Sequence, residues 1–173
     1  MNLVHLLPVG KIAASLLDGL REAIPRRLPV RCEILALTLD PTPSYHAERQ
    51  QFHSSEMLQR MQSLVRPGDW RFLAVAEVDL YIPILKYIFG EAQMGGPCAV
   101  VSIFWLRQEF YGLPEDKQLF AQRLLTEAVH ELGHTLELTH CEDYQCVMAA
   151  SHAVEWIDIK EATFCRECAA KVI

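Results

Sequence analysis

The stretch that decides how this chain is organised covers residues 128–141 and reads AVHELGHTLELTHC. His130 and His134 lie four positions apart in it. In an α-helix, residues at this spacing lie about 40° apart around the axis, so the two imidazoles share one face. The opposite arc carries the apolar residues of the same helix: Leu125, Ala128, Val129, Leu132 and Leu136. We therefore predict a helix, from about residue 116 to residue 136, that buries one side and turns both histidines toward a cleft.

The segment His130-Glu131-Leu132-Gly133-His134 has the H-E-x-x-H pattern of zinc hydrolases. Two neutral imidazoles one helical turn apart can both bind one zinc ion at about 2.0–2.1 Å. Zinc held by three protein ligands keeps a position for water, lowers the pKa of that water to about 7 and polarises a carbonyl. Glu131, about 100° around the helix from His130, is therefore expected to be the general base.

The third zinc ligand is expected to be His140, six residues after His134. The run H-E-L-G-H-T-L-E-L-T-H matches the metzincin signature H-E-x-x-H-x-x-G-x-x-H except that Glu137 replaces the glycine. In the signature, that glycine lets the chain leave the helix through a left-handed turn. The same backbone conformation costs a glutamate about 1 kcal/mol. We predict that Glu137 adopts the turn. The alternatives are that the helix continues and alters the site, or that Glu155 or Glu161 is the third ligand, as in gluzincins.

Six cysteines predict a second metal site. Four of them form two close pairs near the end of the sequence, with spacings of four, eighteen and two residues: Cys141, Cys146, Cys165 and Cys168. This spacing favours a tetrahedral structural zinc ion, adjacent to His140 and able to fix its loop. Cys32 and Cys98 lie in apolar, strand-like runs and are interpreted as core thiols.

The remaining periodicity predicts an α/β (α+β) fold with a twisted mixed sheet, an antiparallel edge strand and packed helices. Predicted strands cover 2–9, 30–39 and 72–76, followed by a hairpin of 86–92 and 98–106. Further helices are predicted over 11–24, from about 54, and near 158–171. We expect one catalytic domain over 1–173, with a sheet-and-helix part (1–136) and a loop-rich, zinc-stabilised part (137–173).

Composition excludes several classes of protein. With 51% hydrophobic and 22% charged residues, intrinsic disorder is not expected. The net charge of -6 and the absence of a basic run argue against a nucleic-acid partner. No apolar run reaches the roughly 18 residues of a membrane span, and the start of the chain does not resemble an export signal. We therefore expect a cytoplasmic protein with a reducing environment for its thiols. The oligomeric state stays open, with a monomer favoured.

The motifs together resemble the archaemetzincins. The resemblance rests on HELGHTLELTHC, on Cys146-Val147-Met148 and on Phe164-Cys165-Arg166-Glu167-Cys168. Weaker similarity covers Asp79-Leu80-Tyr81 and the Phe89-Gly90-x-Ala92 run. The specific motifs span residues 127–168, and Glu137 is their one departure from the family pattern.

The resemblance implies a zinc-dependent peptidase that acts on peptides or proteins. It implies a catalytic zinc ion on three histidines, His130, His134 and His140, with Glu131 as base. It also implies a second zinc ion on the four cysteines, and Met148 as the Met-turn residue beneath the catalytic site. An extended substrate is expected to pair with an edge strand at 98–106 or 86–92.

Two other interpretations of the whole chain stay open. One is a zinc-stabilised peptide-binding protein whose peptidase site is degenerate because of Glu137, and the other is a thiol redox sensor. His152 is a candidate to stabilise the oxyanion, although a surface role is favoured. The sequence shows no partner pattern for His5, His46 and His53, which are expected to be structural or solvent-facing.

Overall fold

The computed structural model of the protein describes residues 1–172. Its strands are β1 (Asn2–Val9), β2 (Val30–Ile34), β3 (Tyr45–His46), β4 (Gln51–His53), β5 (Arg71–Ala76), β6 (Leu80–Tyr81), β7 (Gly90–Ala92) and β8 (Cys98–Ser102). Its α-helices are α1 (Ala14–Ala23), α2 (Ser54–Gln62), α3 (Lys117–Thr135), α4 (Val154–Ile159) and α5 (Arg166–Val172). Short 3₁₀ turns cover Ile24–Arg26, Thr42–Ser44, Phe104–Leu106 and Gln108–Tyr111.

The main sheet has the strand order β2-β1-β5-β8-β7. Its neighbours are parallel except for β7, which runs antiparallel to β8 and forms one edge. A smaller sheet has the order β3-β4-β6. The predicted mixed sheet with an antiparallel edge strand is confirmed.

The two faces of the main sheet are covered by different helices because successive side chains of a strand point to opposite faces. In β1, Val4 and Leu6 belong to the core that includes residues of α1 and α3. Leu7 and Val9 belong to a second core, which includes Met57 of α2. Three layers result, and α3 lies over one face beside the edge strand.

Helix α3 begins and ends close to its predicted limits. Its N-cap residue is Asp116, whose carboxylate accepts a hydrogen bond from the Leu119 amide at 2.9 Å. Ala128 and Leu132 are buried against the sheet, and Val129 packs on the C-terminal part of the chain. The helix therefore joins the sheet to the segment that carries the cysteines.

Three predicted strands are longer than those in the structure. The strand over 30–39 ends at Ile34, because the chain leaves β1 and returns to it only where the Leu39 amide donates to Pro8 O. The strand over 86–92 is reduced to Gly90–Ala92, because Ile88 pairs with β6. The strand over 98–106 ends at Ser102, where its partner β5 also ends. Since β8 lies between β5 and β7, the alternative that places the edge strand at 98–106 is wrong.

The single helix expected near 158–171 is also wrong. Helices α4 and α5 are separated by an extended segment in which Glu161 N–H donates to Gln145 O and Thr163 O accepts from Val147 N–H, both at 2.9 Å. These bonds attach residues 161–163 to residues 145–147, which a continuous helix would prevent. Cys165 is thereby brought next to Cys146.

The two cysteines outside the cluster lie in apolar surroundings. Cys98 is fully buried and Cys32 is half-buried against the core. Burial raises the pKa of each thiol to about 11, so both are neutral near pH 7. Within residues 1–172, no helix combines the length and apolar character that a membrane crossing requires.

Candidate active site and metal centres

Helix α3 and the loop after it bring three imidazoles together. The Nε2 atoms of His130 and His134 are 3.1 Å apart. The ring of His140 lies 5.4 Å from that of His130 and 5.0 Å from that of His134, centroid to centroid. One nitrogen from each ring lies within 4.8 Å of the others, which is close enough for one metal ion.

Two backbone carbonyls determine which nitrogens are protonated. His130 Nδ1 lies 2.7 Å from Val147 O, and His134 Nδ1 lies 2.7 Å from Leu138 O. Because a carbonyl only accepts, each Nδ1 carries the hydrogen and each Nε2 presents a lone pair. Two lone pairs that face each other at 3.1 Å repel unless a cation lies between them. The donor set therefore fits a divalent metal ion bound by imidazoles.

The electrostatic environment keeps these rings neutral, as metal ligands must be. Burial is the largest cause that lowers the pKa of His130, His134 and His140, and the effect is strongest for the deeply buried His130. The positive charge of Lys160 lowers all three further.

Glu137 adopts the left-handed turn that brings His140 back to the site. Its φ is 67°. The Glu137 amide donates to His134 O and the Leu138 amide donates to Gly133 O, each at 3.1 Å, which is the hydrogen-bond pattern of a Schellman motif. The same turn places Leu138 O on His134 Nδ1. The alternative in which the helix continues through Glu137 is therefore wrong.

The Glu137 side chain lies against the β7–β8 hairpin. A Cβ atom built on Gly95, which itself has a φ of 66°, would lie 3.0 Å from Glu137 Cγ. The Gly95 amide donates to His134 O at 3.0 Å, so this hairpin turn also fixes the end of α3. Burial lowers the pKa of Arg71, and the negative charge of the Glu137 carboxylate opposes part of this shift. These contacts partly offset the cost of the left-handed backbone.

Glu131 is buried between α3 and the edge strand. It is 4% exposed. A Cβ atom built on Gly90 of β7 would lie 2.7 Å from both Cγ and Oε1 of Glu131. Burial raises the pKa of the Glu131 carboxyl well above its usual range, and the Glu127 carboxylate adds to this. A dication in the histidine site would act in the opposite direction, because it favours the carboxylate.

We expect Gly90→Ala to reduce catalysis that uses Glu131 as a base by at least about tenfold, because the new methyl group would displace the carboxylate of Glu131. It would also lie 2.7 Å from Val100 O, so the free energy of unfolding should fall by about 1–3 kcal/mol. Gly19→Ala is the matched control, since a Cβ atom there meets nothing within 4 Å. Steady-state kinetics and denaturant titration check both variants. Unchanged kcat in Gly90→Ala would contradict the proposed contact.

Met148 lies directly beneath the histidine helix. It is fully buried, and a Cβ atom built on Gly133 would overlap its sulfur. Gly133 lies between the two helical histidines, so its lack of a side chain lets Met148 pack under the site. Neither the packing role of Gly133 nor that of Gly90 beside Glu131 was predicted from the sequence.

The four C-terminal cysteines form a second metal-competent cluster. One sulfur from each lies within 4.8 Å of the others. The Sγ atoms of Cys141 and Cys165 are 3.8 Å apart, which matches the roughly 3.8 Å edge of a tetrahedron with 2.3 Å zinc–sulfur bonds. The backbone N–H groups of Met148 and Cys165 donate to Cys146 Sγ at 3.4 and 3.3 Å. Such donors stabilise the thiolate form of a cysteine. The donor set fits a closed zinc site.

The two clusters share one segment of backbone. Cys141 follows His140 directly, and its amide donates to Met148 O at 3.0 Å. The loop with His140 is therefore held on one side by the cysteine cluster and on the other by the Met148 segment.

A buried ion pair behind the histidines was not predicted. Lys160 Nζ lies 3.1 Å from Glu127 Oε1 and donates to Ala149 O at 3.0 Å. Both side chains are almost fully buried, and burial raises the pKa of Glu127 while the Lys160 charge opposes this. The pair joins α3 to the segment after Met148. One hint about Glu127 was present in the sequence: it lies four residues before Glu131, so the two carboxylates share one face of the helix.

The other candidate residues have different locations. Glu155 and Glu161 are exposed, and neither belongs to the group formed by the three histidines. His152 is exposed at the cleft between β7 and α3, which the three histidines also line. His5 packs on Phe72, with Nε2 3.5 Å from Asp69.

His46 and His53, which were expected to be structural or solvent-facing, share a partner that the sequence did not indicate. Both histidines meet Glu56 at the start of α2. Their spacing along the sequence gave no indication of this, because they approach only when β3 pairs with β4.

This fold, with a histidine triad on its long helix and a four-cysteine cluster beside it, is that of a zinc-dependent metallopeptidase. Residues 43–173 match the profile of Peptidase family M54. Archaemetzincin from Methanocaldococcus jannaschii is 37% identical over 165 residues, which cover 95% of this chain and 89% of that protein. The chain belongs to the archaemetzincin family.

Other relatives agree with this assignment. Archaemetzincin from Archaeoglobus fulgidus is 32% identical over 98% of both chains. Its crystal structure matches with a TM-score of 0.84 and covers 98% of this chain and 99% of its own. The crystal structure of archaemetzincin from Methanopyrus kandleri matches with the same score at 31% identity, over 99% of this chain and 93% of its own. The predicted fold and peptidase class are confirmed.

Proposed function

We propose that His130, His134 and His140 hold the catalytic zinc ion of this peptidase and that Glu131 is its general base. The observation that carries the proposal is the pair of unprotonated Nε2 atoms 3.1 Å apart, with a third imidazole beside them. Glu155 and Glu161, the alternative third ligands, lie outside this group.

Zinc in this site would activate water and polarise the carbonyl of the scissile bond. The carboxylate of Glu131 accepts a proton from the attacking water and delivers it to the nitrogen of the leaving amine. The contact with Gly90 limits where this carboxylate can move, so the base stays close to the edge strand. His130 and His134 keep their orientation through the carbonyls of Val147 and Leu138.

The substrate is a peptide or protein, and we propose that it binds in an extended conformation along β7. In the main sheet β7 pairs only with β8, so its other edge offers backbone groups to a peptide. Gly90 and Ala92 of this strand line the same cleft as the three histidines. An added strand would therefore pass beside the zinc site.

The four cysteines hold a second, structural zinc ion in this proposal. Both metal sites then belong to one catalytic domain over residues 1–173, in which the cysteine cluster fixes the loop of His140. The proposed location is the cytoplasm, where a reducing environment keeps the four thiols available for zinc.

Metal content of the purified protein tests these assignments. We expect two zinc ions per chain in the wild type and in Glu155→Ala. His140→Ala should lose one of these two tightly bound ions at a free zinc concentration that fills the two tight sites but no weaker one, as measured by equilibrium dialysis and elemental analysis. Retention of both ions by His140→Ala, together with loss in Glu155→Ala, would favour the glutamate-ligand alternative.

Replacing Glu137 with glycine separates the active peptidase from the degenerate peptide-binding alternative. We expect Glu137→Gly to keep two zinc ions and to change the free energy of unfolding by less than about 1 kcal/mol, since relief of the left-handed backbone is balanced by lost contacts with the hairpin. Glu137→Val should destabilise the protein, because a β-branched residue tolerates this backbone poorly. One zinc ion in the wild type that rises to two with glycine would contradict the proposal.

A further inference from the structure

A third group of metal-type ligands lies outside both sites described above. His46 is on β3, His53 ends β4, and Glu56 is in the first turn of α2. One ligand atom from each lies within 4.8 Å of the others. Pairing of β3 with β4 and the i,i+3 spacing of His53, the N-cap residue of α2, and Glu56 in its first turn produce this arrangement.

The contacts within the group are uneven. His46 Nε2 lies 3.1 and 3.0 Å from the two oxygens of the Glu56 carboxylate. His53 Nδ1 lies 3.5 Å from Oε1 of the same carboxylate, is buried from solvent and makes no hydrogen bond. An ordinary ion pair between His46 and Glu56 accounts for two of the three residues and leaves the nitrogen of His53 without a partner, which is unfavourable.

A metal ion between the three side chains would give every donor atom a partner. Two imidazole nitrogens and one carboxylate oxygen form a donor set that binds zinc in proteins. The ring of Tyr81 packs on both histidines, with centroids 5.8 Å from His46 and 5.1 Å from His53, and so limits their rotation. The side chains of His46 and Glu56 are 43% and 41% exposed, so an ion has access and can retain water.

Nearby charges set the expected strength of binding. The Arg49 guanidinium lies 4.0 Å from the centre of the Tyr81 ring and opposes a cation. The Glu91 carboxylate accepts hydrogen bonds from Ser54 and Ser55, directly after His53, and favours a cation. With one carboxylate ligand and partial exposure, this site should be weaker than the histidine and cysteine sites.

We propose that His46, His53 and Glu56 form a third metal site, which takes Zn²⁺ after the other two sites are filled. The site lies behind the strand where substrate is proposed to bind, because Ser54 and Ser55 connect the start of α2 to Glu91 of β7. Bound zinc would link β3, β4 and α2 and so stabilise the support of this edge strand.

Native mass spectrometry and calorimetric titration with Zn²⁺ alone test the proposal. The wild type should bind a third equivalent after the two tight ones. His53→Gln and Glu56→Gln should each weaken that third equivalent by at least tenfold while leaving the first two unchanged. Glu48→Gln, which removes an exposed carboxylate from the same loop, is the matched control and should bind like the wild type.

Thermal unfolding keeps the test informative if a variant is unstable. Excess Zn²⁺ should raise the Tm of the wild type and of Glu48→Gln, but not that of Glu56→Gln. The proposal is overturned if the wild type binds only two equivalents, or if His53→Gln and Glu56→Gln keep the third. Because binding is counted separately at each site, failure here leaves the histidine-site assignment untouched, and His140→Ala should still bind zinc at the third site.

Discussion

Glu131→Gln is expected to lower kcat for peptide hydrolysis by about 10³-fold or more while zinc content stays at the wild-type level. The amide has nearly the same shape as the carboxylate but cannot accept the proton that the attacking water must lose. The neutral side chain also removes a buried charge close to Glu127, so the Tm should not fall. Cleavage of a defined peptide library, followed by mass spectrometry, measures the activity.

Two observations would make this result specific to the general base. Glu155→Gln changes an exposed carboxylate on α4 and should keep wild-type kcat, because that side chain is outside the histidine group. A Glu131→Gln variant that retains more than about a tenth of wild-type kcat, with zinc bound, would show that another group moves the proton.

Cys146→Ser is expected to remove one zinc ion and to lower the free energy of unfolding by at least about 4 kcal/mol. Structural zinc in small sites contributes on the order of 10 kcal/mol of binding free energy that stabilises the fold, and Cys146 is the most buried cysteine of this cluster. Activity should fall as well, because Cys141 of the same cluster adjoins His140. Elemental analysis, thermal unfolding and kinetics report the three effects.

Cys98→Ala is the matched control for the cluster, since it removes a buried thiol that is not near the four cysteines. We expect it to keep two zinc ions and wild-type activity, with a loss of stability of about 1–2 kcal/mol from the small cavity. If Cys146→Ser kept both zinc ions, the cysteine cluster would not be a metal site.

The parts of the structure that the sequence predicted well depend on local periodicity. Helix α3 has its apolar and histidine residues at helical spacing, and its N-cap Asp116 is recognisable from the sequence. The turn at Glu137 was also predictable, because His140 can return to His130 and His134 only if the helix ends between His134 and His140.

The parts that the sequence predicted wrongly depend on contacts between distant segments. Nothing local shows that residues 161–163 pair with residues 145–147 in place of forming a helix. The position of β8 inside the sheet depends on its pairing with β5, and the edge position of β7 follows from it. The group of His46, His53 and Glu56 has a more local origin, because β3 and β4 are close in the sequence, but it too forms only when these two strands pair.

The left-handed residue at Glu137 has a practical consequence for how peptidases of this kind are recognised. A search template that insists on glycine midway between the second and third histidines would reject this chain, although the backbone there has the φ that such a glycine would supply. The penalty of about 1 kcal/mol is similar to the net value of one ordinary hydrogen bond. Templates written on imidazole spacing and on the cysteines that follow would retain such chains, because those positions hold the proposed metal ligands.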